Sequence, residues 1–227
     1  MENITLITGA TAGIGRATAL RLAEEKHNLI ITGRREDRLK TLKEEIELKH
    51  GVKVYYLCFD IRNKDKVFEA IESLPEEWKA IDILINNAGL AVGLGHIQDG
   101  LLDDWERMID TNVKGLLYIT RKVAPYLIEK GKGQIINVGS IAGRQVYENG
   151  NIYCATKHAV DALSKAMRID MLRENIKVTQ IAPGMAETEF SLVRFKGDKE
   201  KATNAYKDFA ALTGEDVANV IAFAVNQ

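Results

Sequence analysis

Ser140, Tyr153 and Lys157 are the residues of this sequence whose types and spacing could carry out proton transfer. Tyr153 and Lys157 are four residues apart, so they share one face if a helix begins near Asn151. A nearby ammonium favours the phenolate and lowers the pKa of a tyrosine, which is about 10 in the free side chain. The pair also recurs by chance on helix surfaces, so its interpretation as a proton donor or acceptor requires a cofactor site elsewhere.

Ser140 ends the apolar run of residues 134–140, which is typical of a buried strand. Its hydroxyl would therefore lie at the carboxyl end of a strand. Open α/β sheets bind their ligands at that edge, so we expect Ser140 to lie at a ligand-binding edge.

A glycine-rich segment near the start of the chain predicts a dinucleotide site. An apolar strand pattern over residues 4–8 runs into Gly9, Gly13 and Gly15, and a helix pattern follows. Glycines let the backbone approach a phosphate, and the first turn of a helix offers free N–H groups to a pyrophosphate. The spacing is G-x-x-x-G-x-G, unlike the common G-x-G-x-x-G fingerprint, and a simple strand-to-helix turn is the alternative.

The residues after the second strand pattern, residues 28–32, predict which dinucleotide is used. An acidic residue there would bind a ribose 2′-hydroxyl, whereas an arginine accommodates a 2′-phosphate. This chain has Arg34 and Arg35 and no carboxylate at that point, which favours NADP(H) over NAD(H). A solvated start to the next helix is the alternative for both arginines.

Strand patterns continue to alternate with helix patterns, at residues 54–59, 81–85 and 178–182 in addition to those above. This alternation predicts a single α/β domain over residues 1–227, a doubly wound Rossmann-type parallel sheet flanked by helices. Residues near 187–210 interrupt the alternation after a strand, so we expect a small substrate lid there.

Asn112 falls inside a long helix expected from Asp103 to Ile128. Asparagine is a poor helix former, and when buried it needs a polar partner. A second long helix is expected over residues 152–173.

Composition narrows the choice of function. The 227 residues are 46% hydrophobic and carry a net charge of −1, which gives no indication of a nucleic-acid surface or of attraction to anionic membranes. There is no secretory leader pattern and no apolar stretch of membrane-spanning length, so we expect a cytoplasmic protein without a membrane partner. Cys58 and Cys154 lack the spacing of a zinc site or a disulfide framework, so no metal is expected.

These motifs resemble those of the short-chain dehydrogenase/reductase family, in order and spacing over nearly the whole chain. The residues that carry the resemblance are Thr8-Gly9-x-x-x-Gly13-Ile14-Gly15, Asn86-Asn87-Ala88-Gly89, Asn112, Ser140, Tyr153-x-x-x-Lys157 and Pro183-Gly184. The glycine spacing is similar to that of the compact branch of the family. Gly33-Arg34-Arg35, residues 140–143 and residues 188–198 resemble NADP-dependent 3-hydroxy acid dehydrogenases that oxidise serine and allo-threonine.

The resemblance implies a catalytic role for four residues. Tyr153 would be the acid/base for the substrate oxygen, and Lys157 would lower its pKa and bind the nicotinamide ribose. Ser140 would hydrogen-bond the same oxygen, and Asn112 would hold a water in a proton path toward Lys157.

The resemblance also implies the cofactor contacts. Asp60 would meet the adenine, although capping of the next helix is an equal alternative, and Thr188 would bind the nicotinamide carboxamide. The full set of implied cofactor residues is Gly9, Thr11, Gly13, Ile14, Gly15, Arg34, Arg35, Asp60, Asn87, Ala88, Gly89, Tyr153, Lys157, Pro183, Gly184 and Thr188.

The implied function is reversible hydride transfer between NADP(H) and the 3-hydroxyl or 3-keto group of a small hydroxy acid. Its carboxylate needs a cationic or amide partner, for which Arg144 and Arg194 are candidates, each equally interpretable as a solvated charge. A carbonyl reductase of another ketone or of a 3-oxoacyl thioester is the first alternative. A non-catalytic NADP-sensing protein is the second. Homotetramers built on the two long helices are usual in the family.

Two features depart from the family pattern. Members usually continue from the last helix into a seventh strand, for which the residues up to Gln227 show no pattern. Some NADP-using relatives carry a basic residue at the position of Ala12, so cofactor choice here depends on Arg34 and Arg35.

Overall fold

The computed structural model describes residues 3–207 and 210–227. The predicted domain, 1–227, and the predicted lid, 187–210, thus include residues 1, 2, 208 and 209, which lie outside the described residues. Six strands form one parallel sheet, and they are β1 (Ile4–Ile7), β2 (Asn28–Gly33), β3 (Val54–Cys58), β4 (Ile83–Asn86), β5 (Gly133–Val138) and β6 (Ile176–Ile181). The order is β3-β2-β1-β4-β5-β6, which reverses between β1 and β4 and confirms the predicted Rossmann-type fold.

Ten α-helices connect and cover the strands in the described part of the chain. They are α1 (Gly13–Glu24), α2 (Glu36–His50), α3 (Lys64–Glu72), α4 (Glu76–Lys79), α5 (Leu102–Ile109), α6 (Leu116–Glu129), α7 (Asn151–Asp170), α8 (Glu189–Arg194), α9 (Lys199–Asn204) and α10 (Gly214–Val225). None of them combines the length and the apolar character needed to cross a bilayer.

The sheet is buried on both faces because its strands are continuous apolar runs. On one face, Leu6 and Ile30 pack with side chains of α3, α6 and α7. On the other face, Ile7 and Ile31 pack with side chains of α1, α2 and α10. Alternate residues of one strand therefore pack into two separate cores. Each predicted strand end lies within two residues of the observed one.

The long helix expected around Asn112 is not continuous. A π-helical segment, Asp110–Gly115, separates α5 from α6, and Asn112 lies within it. This segment packs closely against its neighbours: the Asn112 side chain bonds to the Leu90 backbone, and a Cβ on Gly115 would come within 2.9 Å of Ile61. Single-turn π-segments of this kind are frequent at functional sites.

The other long helix, expected to reach residue 173, ends at Asp170 as α7. A short 3-10 turn, Leu172–Glu174, follows, and Asn175 then takes a left-handed conformation with φ of 56°. Asparagine tolerates that conformation better than most residues, and Asn175 ends the 3-10 turn just before β6 begins at Ile176.

Candidate active site

A cavity of about 650 Å³ opens at the carboxyl edge of the sheet. Most of the residues singled out in the sequence line it: Gly9, Thr11, Gly13, Ile14, Arg34, Arg35, Asp60, Asn87, Ala88, Gly89, Ser140, Tyr153, Lys157, Pro183, Gly184, Thr188 and Arg194. Gly15, Asn112 and Arg144 do not line it. In the described part of the chain, His, Cys, Asp and Glu side chains form no group of three or more that could hold a metal ion.

Ser140, Tyr153 and Lys157 are brought together by the end of β5 and the first two turns of α7. Ser140 follows β5 and caps the 3-10 turn Ile141–Gly143, where its Oγ accepts a hydrogen bond from the Ala142 N–H at 3.1 Å. A Cβ on Gly143 would lie 2.6 Å from the Lys157 carbonyl oxygen, so glycine lets this turn press against the helix backbone. The sequence analysis did not identify Gly143 as a packing requirement.

Burial governs the titration of both ionisable groups. Burial raises the pKa of the Tyr153 phenol to about 12, although a hydrogen bond with Ser140 lowers it in part. Burial lowers the pKa of the Lys157 ammonium to about 8. Its Nζ donates to the Val138 carbonyl at 2.9 Å and lies 5.9 Å from the centre of the Tyr153 ring. The expected lowering of the tyrosine pKa is therefore outweighed by desolvation in this chain.

The Asn112 side chain joins two segments of the chain next to Lys157. Its Nδ2 donates to the Leu90 carbonyl at 2.8 Å and to Thr156 Oγ1 at 3.0 Å, and its Oδ1 accepts from the Leu90 N–H at 2.8 Å. A Cβ on Gly89 would lie 3.3 Å from Asn112 Oδ1 and 3.6 Å from Lys157 Nζ. The amide thus ties the loop after β4 to α7 beside the lysine, and its implied role in holding a water stays a prediction.

The glycine segment fits closely against the end of β4. Gly9 and Gly13 have φ of +70° and +52°, a region that favours glycine. A Cβ on Gly15 would lie 2.4 Å from Asn87 Nδ2, so Gly15 contributes by packing and does not line the cavity. The helix α1 starts at Gly13 without a side-chain cap, and Gly13 and Ile14 line the cavity.

The two predicted arginines point to different partners. Arg34 Nη1 lies 3.8 Å from Asp60 Oδ2. The Asp60 carboxylate is also held by Arg62, with Nη2 2.6 Å from Oδ2. Arg35 donates from Nη2 to Thr11 Oγ1 at 2.9 Å and from Nη1 to Glu189 Oε2 at 2.7 Å.

Arg38, Arg62 and Glu189 were not among the predicted site residues. Arg38 donates from Nη1 to Glu189 Oε1 at 2.6 Å, beside Arg35. Its spacing of three from Arg35 on a predicted helix was a usable signal. Glu189 is more than 150 residues from both arginines, so local spacing contained no signal for it.

Arg194 lines the cavity beside the ring of Tyr153. Its Cζ lies 5.1 Å from the centre of the Tyr153 ring, 5.5 Å from that of Tyr147 and 5.6 Å from that of Phe190. It donates from Nη2 to the Tyr147 hydroxyl, and its Nε is buried without a hydrogen-bond partner among the described residues. Arg144, by contrast, is exposed and lies outside the cavity wall.

The chain is similar to known proteins over almost its whole length. The profile of a family described as "short chain dehydrogenase" matches residues 3–198. An NADP-dependent 3-hydroxy acid dehydrogenase, YdfG of Salmonella typhi, is 48% identical over 96% of this chain and 87% of its own. Sulfoacetaldehyde reductase 2 of Chromohalobacter salexigens is 46% identical over 97% and 87%. The closed form of a serine dehydrogenase complexed with NADP⁺ superposes with a TM-score of 0.93 at 47% identity, over 97% and 88% of the two chains.

Proposed function

Because the chain belongs to the short-chain dehydrogenase family, we propose that it transfers a hydride between NADP(H) and the 3-hydroxyl or 3-keto group of a small hydroxy acid such as serine or allo-threonine. The observation that carries the substrate class is the guanidinium of Arg194 beside the Tyr153 ring, with an unpaired buried Nε. The identity to a 3-hydroxy acid dehydrogenase supports the same assignment.

We assign the proton chemistry to Tyr153, Ser140 and Lys157. Tyr153 exchanges a proton with the substrate oxygen, and the Ser140 hydroxyl holds that oxygen in place. Lys157 sits one helical turn away and supplies the positive charge that favours the phenolate when the tyrosine gives up its proton. Asn112 keeps the loop after β4 against α7. The bound nicotinamide supplies the hydride acceptor or donor.

The residues at the other end of the cavity fit an NADP-type dinucleotide. Arg35 and Arg38 hold the same carboxylate, that of Glu189, so together they can bind a 2′-phosphate. The uncapped start of α1 suits the pyrophosphate, because its first N–H groups are free. In this proposal Asp60 and Arg34 provide an acceptor and a flat cation for the adenine, and Thr188, which lines the cavity, binds the nicotinamide carboxamide.

Arg194 supplies the substrate anchor in this proposal. A partly buried guanidinium with an unpaired N–H is costly unless an anion binds it, and a carboxylate can pair with it in a fork. In a 3-hydroxy acid only one carbon separates the carbinol from the carboxylate. An anchor next to the Tyr153 ring therefore lets both groups of the substrate be held at once. Residues of α8 and α9 form the lid that we propose over this end.

Initial rates with NADP⁺ test the substrate class. The substrates are serine, allo-threonine and 3-hydroxyisobutyrate, compared with secondary alcohols that lack a carboxylate. We expect turnover of the acids, and we expect R194A to raise their KM about 10-fold or more, the range for losing a charge-assisted hydrogen bond. R144A is the matched control and should leave the KM unchanged, because Arg144 lies outside the cavity.

Two results would contradict the assignment. Turnover of the plain alcohols alone would favour a carbonyl reductase of another ketone. NADP⁺ binding without oxidation of any acid or alcohol, together with no oxidation of NADPH in the presence of sulfoacetaldehyde, would favour the NADP-sensing alternative. Sulfoacetaldehyde belongs in the panel because a relative at 46% identity is named as its reductase, and a sulfonate is also an anion.

We further propose a cytoplasmic homotetramer. On α7, Ala155, Ala162 and Ala166 are exposed, which leaves a face of small side chains that a second copy could approach closely. Cys58 and Cys154 are both free thiols, which suits a reducing compartment. Multi-angle light scattering of the purified protein measures the assembly directly.

A further inference from the structure

We propose that Glu189 sets the affinity for the phosphorylated dinucleotide, because its carboxylate occupies the Arg35–Arg38 pair and must yield it to the 2′-phosphate of the cofactor. This inference rests on the NADP site of the proposed function. In this proposal Glu189 weakens NADP binding, and it also links the phosphate site to α8.

The contacts of Glu189 are those of a bound anion. Its Oε2 accepts from Arg35 Nη1 at 2.7 Å and its Oε1 accepts from Arg38 Nη1 at 2.6 Å. Arg35 also donates to Thr11 Oγ1 from Nη2 at 2.9 Å. Two guanidiniums thus hold one carboxylate, and the Thr11 hydroxyl accepts from one of them; two phosphate oxygens could take the place of the carboxylate.

The site is open enough for exchange. Glu189, Arg35 and Arg38 have side-chain exposures of 41%, 43% and 49%. Exposed ion pairs of this kind contribute little to stability, so a better anion can break them at low cost. Partial burial raises the pKa of the Glu189 carboxyl, but hydrogen bonds from Arg35 and Arg38 hold it below its usual range, so the carboxylate is charged at neutral pH.

Net charge determines whether the two arginines bind the Glu189 carboxylate or the 2′-phosphate more tightly. The two guanidiniums and the carboxylate leave one net positive charge. A 2′-phosphate carries between one and two negative charges near pH 7, so it balances the arginines better than the carboxylate does. If Glu189 stayed in place, the phosphate would face a like charge, so the carboxylate must move away as the phosphate binds.

Movement of Glu189 would reach the substrate end of the cavity. Glu189 is the first residue of α8, directly after the cap Thr188. The same helix carries Phe190, whose ring centre lies 5.5 Å from that of Tyr153, and Arg194. Release of the carboxylate therefore loosens the first turn of the helix that holds the proposed carboxylate anchor.

Binding of two nucleotide fragments tests the inference without any turnover. Isothermal titration calorimetry compares 2′,5′-ADP, which carries the 2′-phosphate, with 5′-AMP, which does not. In E189Q, we expect 2′,5′-ADP to bind about fivefold more tightly or better, and 5′-AMP to bind as in the wild type. E187Q is the matched control, because Glu187 is an exposed acid two residues away and its removal changes the net charge equally.

Hydrogen exchange of residues 188–194 provides a second measurement. In the wild type, 2′,5′-ADP should accelerate exchange of the first turn of α8, whereas 5′-AMP should not. In E189Q this turn should exchange fast without any ligand. Slower exchange on adding 2′,5′-ADP would overturn the proposed release.

The binding outcomes separate the two proposals. If E189Q weakens 2′,5′-ADP binding, Glu189 buttresses the arginines and the inference is wrong. If E187Q tightens binding as much as E189Q, the change in net charge accounts for the tighter binding and the inference is wrong. If the wild type binds 2′,5′-ADP no better than 5′-AMP, the NADP site of the proposed function fails instead.

Discussion

At the centre of the cavity, Tyr153 and Lys157 lie in the body of α7 and Lys157 is only 6% exposed, whereas at the rim Arg35 and Arg38 are 43% and 49% exposed. The central lysine is fixed by a backbone carbonyl, that of Val138. The rim arginines are held by an exposed carboxylate, that of Glu189. Burial shifts the two pKa values at the centre, and exposure keeps the rim pairs weak.

This difference separates two tasks. Proton transfer needs groups whose positions and pKa values do not change from one turnover to the next. Recognition of anions needs cations that can exchange one partner for another. Changes at the centre should therefore alter kcat or the pH dependence of stability, and changes at the rim should alter KM and ligand preference.

The largest effect should come from removing the phenol at the centre. We expect Y153F to lower kcat by about 10²–10⁴, the usual contribution of a positioned acid or base, while NADP⁺ binding is retained. Steady-state kinetics and fluorescence titration of the cofactor measure the two quantities. A Y153F enzyme with near-normal kcat would show that the centre does not perform the proton transfer.

The buried lysine should give the second largest effect, as a pH dependence of stability. Its folded pKa of about 8 lies below its unfolded value, so from about pH 8 to pH 10 only the unfolded state keeps the proton. The unfolded state then binds more protons, and stability due to Lys157 rises with pH across this window.

Urea unfolding at pH 7 and pH 10 checks this expectation. The wild type should gain about 2 kcal/mol relative to K157M between these pH values. K165M removes an exposed lysine of the same helix and controls for the lost charge. Equal pH dependence in the wild type and K157M would mean that Lys157 is not desolvated.

The smallest effect should come from one arginine of the rim. We expect R35A to raise the KM for NADP⁺ about tenfold, as for one charge-assisted hydrogen bond, and to leave kcat and the KM for NAD⁺ nearly unchanged. Kinetics with both cofactors measure this. A fall in kcat instead would show that the rim and the centre are not separable.

Much of this molecule could be predicted from local sequence. The apolar runs that became β1 and β2 are buried on both faces, and each places its glycines or arginines at the same sheet edge. The spacing of four between Tyr153 and Lys157 put both side chains on one face of α7. These features depend on periodicity within a single segment, which the sequence displays directly.

The sequence could not predict features that arise between distant segments. Nothing local distinguished Arg194 from Arg144, yet only Arg194 lies in the cavity. Likewise, the bonds of Asn112 to Leu90 and Thr156 join segments that are far apart in sequence, and the raised pKa of Tyr153 follows from burial.

The sequence by itself determined the order of strands and helices along the chain, the candidates for proton transfer, and the presence of Arg34 and Arg35 after the second strand. Tertiary structure alone decided that Glu189 shares the Arg35–Arg38 pair, that Arg194 meets Tyr153, and which pKa values shift and in which direction. The physical reason is that hydrogen-bonding periodicity is local, whereas burial and charge pairing depend on which segments the packed chain brings into contact.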